Sequence, residues 1–462
     1  MEESPAHSDL KRRRVDHSQK TAYLENDRIF PLLLRMGAPA AVGMLVNAFY
    51  NIVDTVFVGQ GVGPLAIAAL SIVFPIQMIV SALAQAIGVG TASIVSRRLG
   101  EKRYGEAVRA IGTAYATVFV ANIVMVSALL VGMEPILRFF GASEEILPFA
   151  MEYAGTVGIG FFFFGLSMCA SNLVRAEGNT KAAMKGMLIG ALMNMVLDPI
   201  FIFGFKMGVR GAAVATVISQ VASAAYLLSL YLRGKTVVPI VAAELRIRPA
   251  ILGQSFLLGI PAFIQTAGMS LLMLVVNTSL GRYGGDTAIT TFGMVHRLLM
   301  IVIMPVLGIV QGSQPISGYN YGAKRYDRVK VVLRTTILTA LGLSLVGYSF
   351  MMIFPSLGMG FFTRDADLIA SSSRVLRIVV LFIPLAAIQI TGSTYFQAIG
   401  KATEAMILGL SRQFFILIPL ILILPRFFGL DGLWFSYPLA DLISTTVTSS
   451  LLIREVRRLG RS

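Results

Sequence analysis

Asn194 and Asp198 stand four residues apart in the apolar stretch 191–203, so a helix places them one above the other on a single face. A carboxylate is costly at membrane depth and normally faces a cavity or pathway, which makes Asp198 a candidate functional residue. Pro199 follows directly, removing one backbone donor and freeing a carbonyl that something else must satisfy. A second acid, Asp54, ends a polar stripe in the first apolar segment, where Asn47, Tyr50 or Asn51, and Asp54 recur at helical spacing. Two acids in such sequence suggest cation chemistry.

The elements that must hold these residues are apolar helices. Of 462 residues 56% are hydrophobic and 14% charged, against about 25% charged in a soluble protein, and the mean hydropathy is +0.76. The net charge of +15 lies in short clusters between apolar runs, the pattern of membrane topology and not of a nucleic-acid patch. A single cysteine, Cys169, excludes a disulfide framework or a thiolate metal site. The first thirty or so residues are polar and lack an apolar core with a cleavage site, so they read as a cytoplasmic tail and not as a signal peptide.

Runs long enough to cross about 30 Å of hydrocarbon number twelve. They fall near 32–57, 65–95, 107–132, 149–174, 182–204, 209–232, 250–280, 286–315, 328–354, 371–398, 402–425 and 431–453. Lys and Arg gather in alternate connections, including 97–103, 175–185, 233–248 and 324–330, and in the C-terminal tail, which predicts both termini on the cytoplasmic side of the cell membrane. Gly37 and Pro39 recur as Gly259 and Pro261, Gly90 as Gly312, Gly100 as Gly322, Phe139 and Phe140 as Phe361 and Phe362, and Gly178 as Gly400, each pair about 222 residues apart.

The predicted fold is therefore an all-α integral membrane protein: twelve transmembrane helices in two six-helix bundles related by a pseudo-two-fold axis along the membrane normal. The segments are a polar tail 1–31, a lobe 32–232, a basic linker 233–249, a lobe 250–455 and a basic tail 456–462. Two such bundles can rock about a shared cleft, the layout of a secondary transporter. No phosphate-binding loop of the Gly-x4-Gly-Lys-Ser/Thr kind occurs, so an ion gradient and not ATP is the expected energy source. No cofactor is expected.

At about 1.5 Å per residue, Asp198, Asp54 and Thr216 all lie about 6–10 Å below the outer edge of the first lobe. Two carboxylates, an amide carbonyl and a hydroxyl at one level form either an oxygen-rich site for a hard monovalent cation, such as Na⁺, or a carboxylate pair that carries a proton. The equivalent places of the second lobe are not acidic. That lobe does hold His296, Arg297, Arg412 and Asp441, where pairing of Arg297 or Arg412 with Asp441 is the structural expectation. Asn47, Tyr50, Asn51, Gln77, Asn172, His296 and Asp441 are the candidate substrate or supporting residues. An enzyme is not expected, because three His residues, two of them in the tail, leave little from which to build a catalytic constellation.

Across residues 28–455 the chain resembles the multidrug and toxic compound extrusion (MATE) family. The resemblance is carried by Asn51-Ile-Val-Asp54-Thr-Val-Phe-Val-Gly59, Ile72-Val-Phe-Pro75, Arg175-Ala-Glu-Gly-Asn179, Asn194-Met-Val-Leu-Asp198-Pro199 and Gly208-Val-Arg-Gly-Ala-Ala213. It looks most like the prokaryotic branch typified by DNA-damage-inducible protein F. That resemblance implies Asp54, Asn194, Asp198 and Thr216 as an H⁺ or Na⁺ site. It also implies export of amphipathic, often cationic, small molecules in exchange for the inward ion, by a monomer embedded in the lipid bilayer. A bend in the first span near Gly37 and Pro39 is a further expectation. The alternative is a flippase or exporter dedicated to one lipid-linked or metabolic substrate; such relatives usually have more spans and a cationic cavity, which this chain lacks.

Overall fold

In the computed structural model residues 21–62 and 64–460 are described, without the side chains at positions 51, 52, 55, 59, 64, 67 and 270. The polar tail is thus seen only from Thr21, and the Asn51 side chain lies outside the described residues. Among the described residues there are helices and no strands.

Six long helices build the first lobe: α1 (Ile29–Gly61), α2 (Pro64–Gly100), α3 (Tyr104–Val131), α4 (Leu147–Ala176), α5 (Thr180–Pro199) and α6 (Gly208–Leu232). The second lobe begins with α7 (Pro249–Gly322), in which Gly285 takes a positive φ of 62° and divides two arms, each a span. It continues with α8 (Tyr326–Ile353), α9 (Ala366–Val379), α10 (Ile383–Ala398), α11 (Ala402–Leu410) and α12 (Pro425–Leu459). Even the small helices repeat, Met133–Phe139 recurring as Pro355–Gly360 at the same register.

Three expected spans differ in detail. The run 371–398 is not one straight helix: α9 and α10 meet at an angle of 48°, where Pro384 in the first turn of α10 has no N–H to continue a ladder. The run 402–425 passes from α11 into a π-helical turn, Ser411–Leu417, before Ile418–Ile423. In the last element Gly429, at φ 59°, divides a short stretch from Pro425 from the span itself, which begins close to the expected 431. Its central stretch is the least lipid-like because Ser436, Asp441, Ser444, Thr445 and Thr448 line it, and all five are buried in protein. The first helix is continuous through Gly37 and Pro39.

The connections show why the elements end where they do. After α4, Gly178 adopts φ 91°, its N–H reaching Arg175 O (2.9 Å) and the Asn179 N–H reaching Val174 O (3.1 Å). Asn179 then caps α5 by accepting from the Ala182 N–H at 3.2 Å. Between them Glu177 is buried and accepts from the Val237 N–H (2.7 Å), the Val238 N–H (3.3 Å) and the Tyr231 hydroxyl (3.2 Å). The basic linker is thereby anchored to the first lobe.

The repeat explains how the lobes meet. A Cβ on Gly90 of α2 would fall on the Ser255 carbonyl and against Gly259, and a Cβ on Gly312 would fall on the backbone of Met36 and Gly37. Since Gly90 recurs as Gly312 and Gly37 as Gly259, these are the two mates of one contact across the pseudo-two-fold axis. Gly100 against the Tyr319 carbonyl and Gly322 against the Arg97 carbonyl repeat it nearer the ends. Removing Cβ lets backbones close to van der Waals distance, which is what drives helix association in lipid. Hydrogen bonds between the lobes also lie at this basic-loop end. They include Thr91 to Ser255 (3.1 Å), Ser93 to Gln397 O (2.5 Å), Asn320 to Leu24 O (3.0 Å) and Arg328 to Asp27 O (2.8 Å). The interface is sealed at that end.

Gly90→Ala and Gly312→Ala should each force the sealed end apart. Spin labels on the 101–103 and 323–325 turns should report a longer distance in both variants, whereas Gly342→Ala, whose added methyl meets nothing within 4 Å, should leave it unchanged. Equal distances in all three would show that the seal does not depend on glycine.

Candidate functional site

Four helices of the first lobe bring polar side chains to one level, away from the seal. Asp54 lies seven residues before the end of α1, Asp198 in the last turn of α5, Thr216 eight residues into α6 and Tyr153 six residues into α4. At about 1.5 Å per residue the three that can be measured from a helix end, Asp54, Thr216 and Tyr153, are about 9–12 Å from that end. The helices alternate in direction, so the levels coincide.

Asp198, Asn194 and Thr216 are at 0%, 1% and 4% exposure, while Asp54 is half-buried. The side chains of Asp54 and Asp198 lie within electrostatic reach of each other. Two carboxyl groups so placed can share one proton and hydrogen-bond through it. Asp54 Oδ1 is buried with no donor among the described residues. Asn194 organises the other side. With its amide oriented so that both ends meet a partner, Nδ2 donates to Asp198 Oδ2 (2.8 Å) and Oδ1 accepts from the Thr216 N–H (3.2 Å). The Thr216 hydroxyl donates to Ala212 O at 2.9 Å and can still accept from Tyr153, which lies beside it. Tyr50 and Tyr153 both lie within electrostatic reach of the two acids.

Local sequence produces this placement. Pro199 ends the α-helical ladder, and the chain continues as a π-helical turn, Ile200–Gly204, whose Phe205 N–H reaches back to Ile200 O at 2.9 Å. Such a wide turn accommodates the carbonyls that proline leaves without a donor, and single π turns are frequent at functional sites. It fixes Asp198 as the last side chain of a regular helix, aimed at α1 and α6.

Of the residues singled out in the sequence, Tyr50, Asp54, Asn194, Asp198 and Thr216 come together. Asn47 is exposed on α1 and Gln77 is half-buried on α2. Asn172 lies elsewhere, at the sealed end, where its amide donates to Gln85 Oε1 (2.7 Å) and Met168 O (3.1 Å). In the second lobe Arg412 Nε donates to Asp441 Oδ1 at 2.6 Å, which neutralises that acid. Arg297 is not its partner. His296 stacks on Phe292 with ring centres 5.6 Å apart and belongs to an aromatic packing group with Tyr437. Among the described residues no group of three or more His, Cys, Asp and Glu side chains is placed to hold a metal. Tyr153 was missed in the sequence reading, although measuring depth along the fourth span as along the others places it at the level of the acids.

A family model described as MatE matches residues 39–200 and, again, 261–423, once in each lobe. The chain belongs to the MATE family. It is thus a membrane transporter and not an enzyme, and the two matches coincide with the two halves of the repeat. Among curated relatives, the multidrug export protein MepA of Staphylococcus aureus (strain MSSA476) is 28% identical over 422 residues, covering 91% of this chain and 92% of that protein. Among solved structures, the MATE multidrug transporter DinF-BH, determined in complex with a ligand, is 38% identical, with a TM-score of 0.86, covering 93% of this MATE chain and 96% of the other. An outward-facing MATE transporter of the MOP superfamily superimposes with a TM-score of 0.89 at 26% identity, over 95% and 98% of the chains.

Tyr153→Phe should leave the protein folded and weaken transport about fivefold, the equivalent of one hydrogen bond of about 1 kcal/mol. Asn194→Ala, which removes the donor to Asp198 and the acceptor for Thr216 together, should also lower the melting temperature. Dye efflux rates and thermal unfolding of the purified variants check both; unchanged values for Asn194→Ala would exclude it from the organisation of the acids.

Proposed function

We propose that this MATE chain exports amphipathic, often cationic, small molecules across the cytoplasmic membrane in exchange for protons, with both termini on the cytoplasmic side. The observation that carries the reading is the Asp54–Asp198 carboxyl pair. The multidrug export role printed for MepA and the multidrug transporter role printed for DinF-BH support the cargo class. Lys and Arg gather in the loops at the glycine-sealed end, which supports that end lying inside and, with it, an outward-facing arrangement.

In that arrangement half-buried Asp54 is the entry point and fully buried Asp198 the destination of a proton. When both acids are ionised, their repulsion and the positive demand of the site favour a bound cationic drug in the cleft. A proton taken up by the pair removes one negative charge and lets the carboxyls hydrogen-bond across α1 and α5, so the drug loses its counter-charge and leaves. The shared proton replaces repulsion between α1 and α5 by a hydrogen bond, which changes how these helices pack and lets the lobes rock to expose the cleft inward. A single copy in the bilayer suffices, and no cofactor besides the coupling ion takes part. Na⁺ is the less favoured ion, because Asn194 and Thr216 are already spent on each other and on Asp198 and not turned toward a shared centre.

Proteoliposomes loaded with an ethidium-like dye, under separately imposed pH and Na⁺ gradients, test this. Efflux should follow the pH gradient alone, and Asp54→Asn and Asp198→Asn should each abolish it with membrane insertion intact. Efflux that follows Na⁺ at constant pH, or normal drug resistance in cells expressing either variant at wild-type level, would overturn proton coupling through this pair.

A further inference from the structure

At the other end of α4, 22 residues beyond Tyr153 and so about 33 Å along the helix, Arg175 carries a half-buried guanidinium that the acid pair does not use. Its NH1 group donates across the lobe interface to Gln311 Oε1, and NH2 reaches Ser171 Oγ at 3.4 Å. The third donor, Nε, is buried with no acceptor among the described residues, and no carboxylate among them forms an ion pair with this guanidinium. Gln314 Nε2, from the second arm of α7, is a second buried donor without an acceptor. Both residues line one small cavity between the lobes, walled by Ala92, Asn172, Ala176 and Pro315. Its room is about that of one water-sized particle.

We propose that this cavity is a binding site for a small monovalent anion of chloride size, held by Arg175 and Gln314 and closed only when the lobes meet at this end. Two buried donors without acceptors face this cavity, and one belongs to a guanidinium with no carboxylate partner, so an acceptor that also carries negative charge suits the site better than lone pairs alone. Water supplies an acceptor but no charge. A carboxylate or phosphate headgroup supplies charge but exceeds the space. A halide supplies both, and the alanine and proline walls offer nothing to repel it. The amide of Asn172 is committed to Gln85 and Met168 and does not compete. Because one donor comes from each lobe, the anion binds the sealed arrangement better than any in which α4 and α7 separate. Differential affinity of that kind shifts the population toward the sealed state.

The test uses the full chain in lipid nanodiscs with chloride exchanged for gluconate, too large for the cavity, at constant ionic strength. Chloride should raise the melting temperature in proportion to the logarithm of its concentration and shorten the spin-label distance across the seal. Bromide should give an anomalous peak between Arg175 and Gln314. Gln314→Leu, which removes a donor without touching the charge, should shift the chloride midpoint about tenfold upward, and Arg175→Gln should abolish the response; if Arg175→Gln does not fold, Gln314→Leu decides. Identical melting curves in chloride and gluconate, a bromide map showing only water, or a chloride response unchanged in Gln314→Leu would overturn the proposal.

Discussion

The cost of holding charge out of water is the constraint on which this structure depends. A carboxylate at membrane depth survives only if it is paired, hydrogen-bonded or open to a water-filled path. The first lobe answers with two acids side by side, an asparagine that feeds one of them a donor, and partial exposure of the other. The second lobe answers differently, by pairing Asp441 with Arg412. One repeat therefore carries two neighbouring acids in no ion pair among the described residues, and the other an acid matched by a guanidinium. The chemistry is asymmetric although the frame is symmetric.

The symmetric frame has its own task. Contacts without Cβ atoms recur across the pseudo-two-fold axis, so the lobes touch through backbone at the basic-loop end. Close glycine contacts are made or lost as a set, because a small separation forfeits most of the dispersion energy of the whole seam. A seam of this kind gives two discrete arrangements and not a continuum, which alternating access requires. The family resemblance, the two MatE matches and the likeness to an outward-facing MATE structure agree with that frame.

π-Helical turns mark both fifth spans, after Asp198 in the first lobe and around Arg412 in the second. In each the regular ladder is interrupted beside a charged side chain at depth. The wide turn frees carbonyls and re-aims the side chains around it, so irregular backbone appears where it lines polar space, as it must in lipid.

Much of this was legible in the residues. Asn194, Asp198 and Pro199 at their spacing, the acid stripe of α1, and glycines returning about 222 residues later are local patterns, and local patterns carry helix periodicity, span length and repeat directly. What they could not carry was contact between helices far apart in the chain. That Gly90 lies on Gly259 and not on its own mate, that Tyr153 joins the acids, that Asn172 sits at the far end of the molecule, and that Arg412 takes Asp441 in place of Arg297 were decided only when the helices packed. Helical spacing fixes which face a residue occupies, but hydrocarbon-soluble helices look alike along the sequence, so the choice of neighbour belongs to close packing and to the pairing of charges in three dimensions.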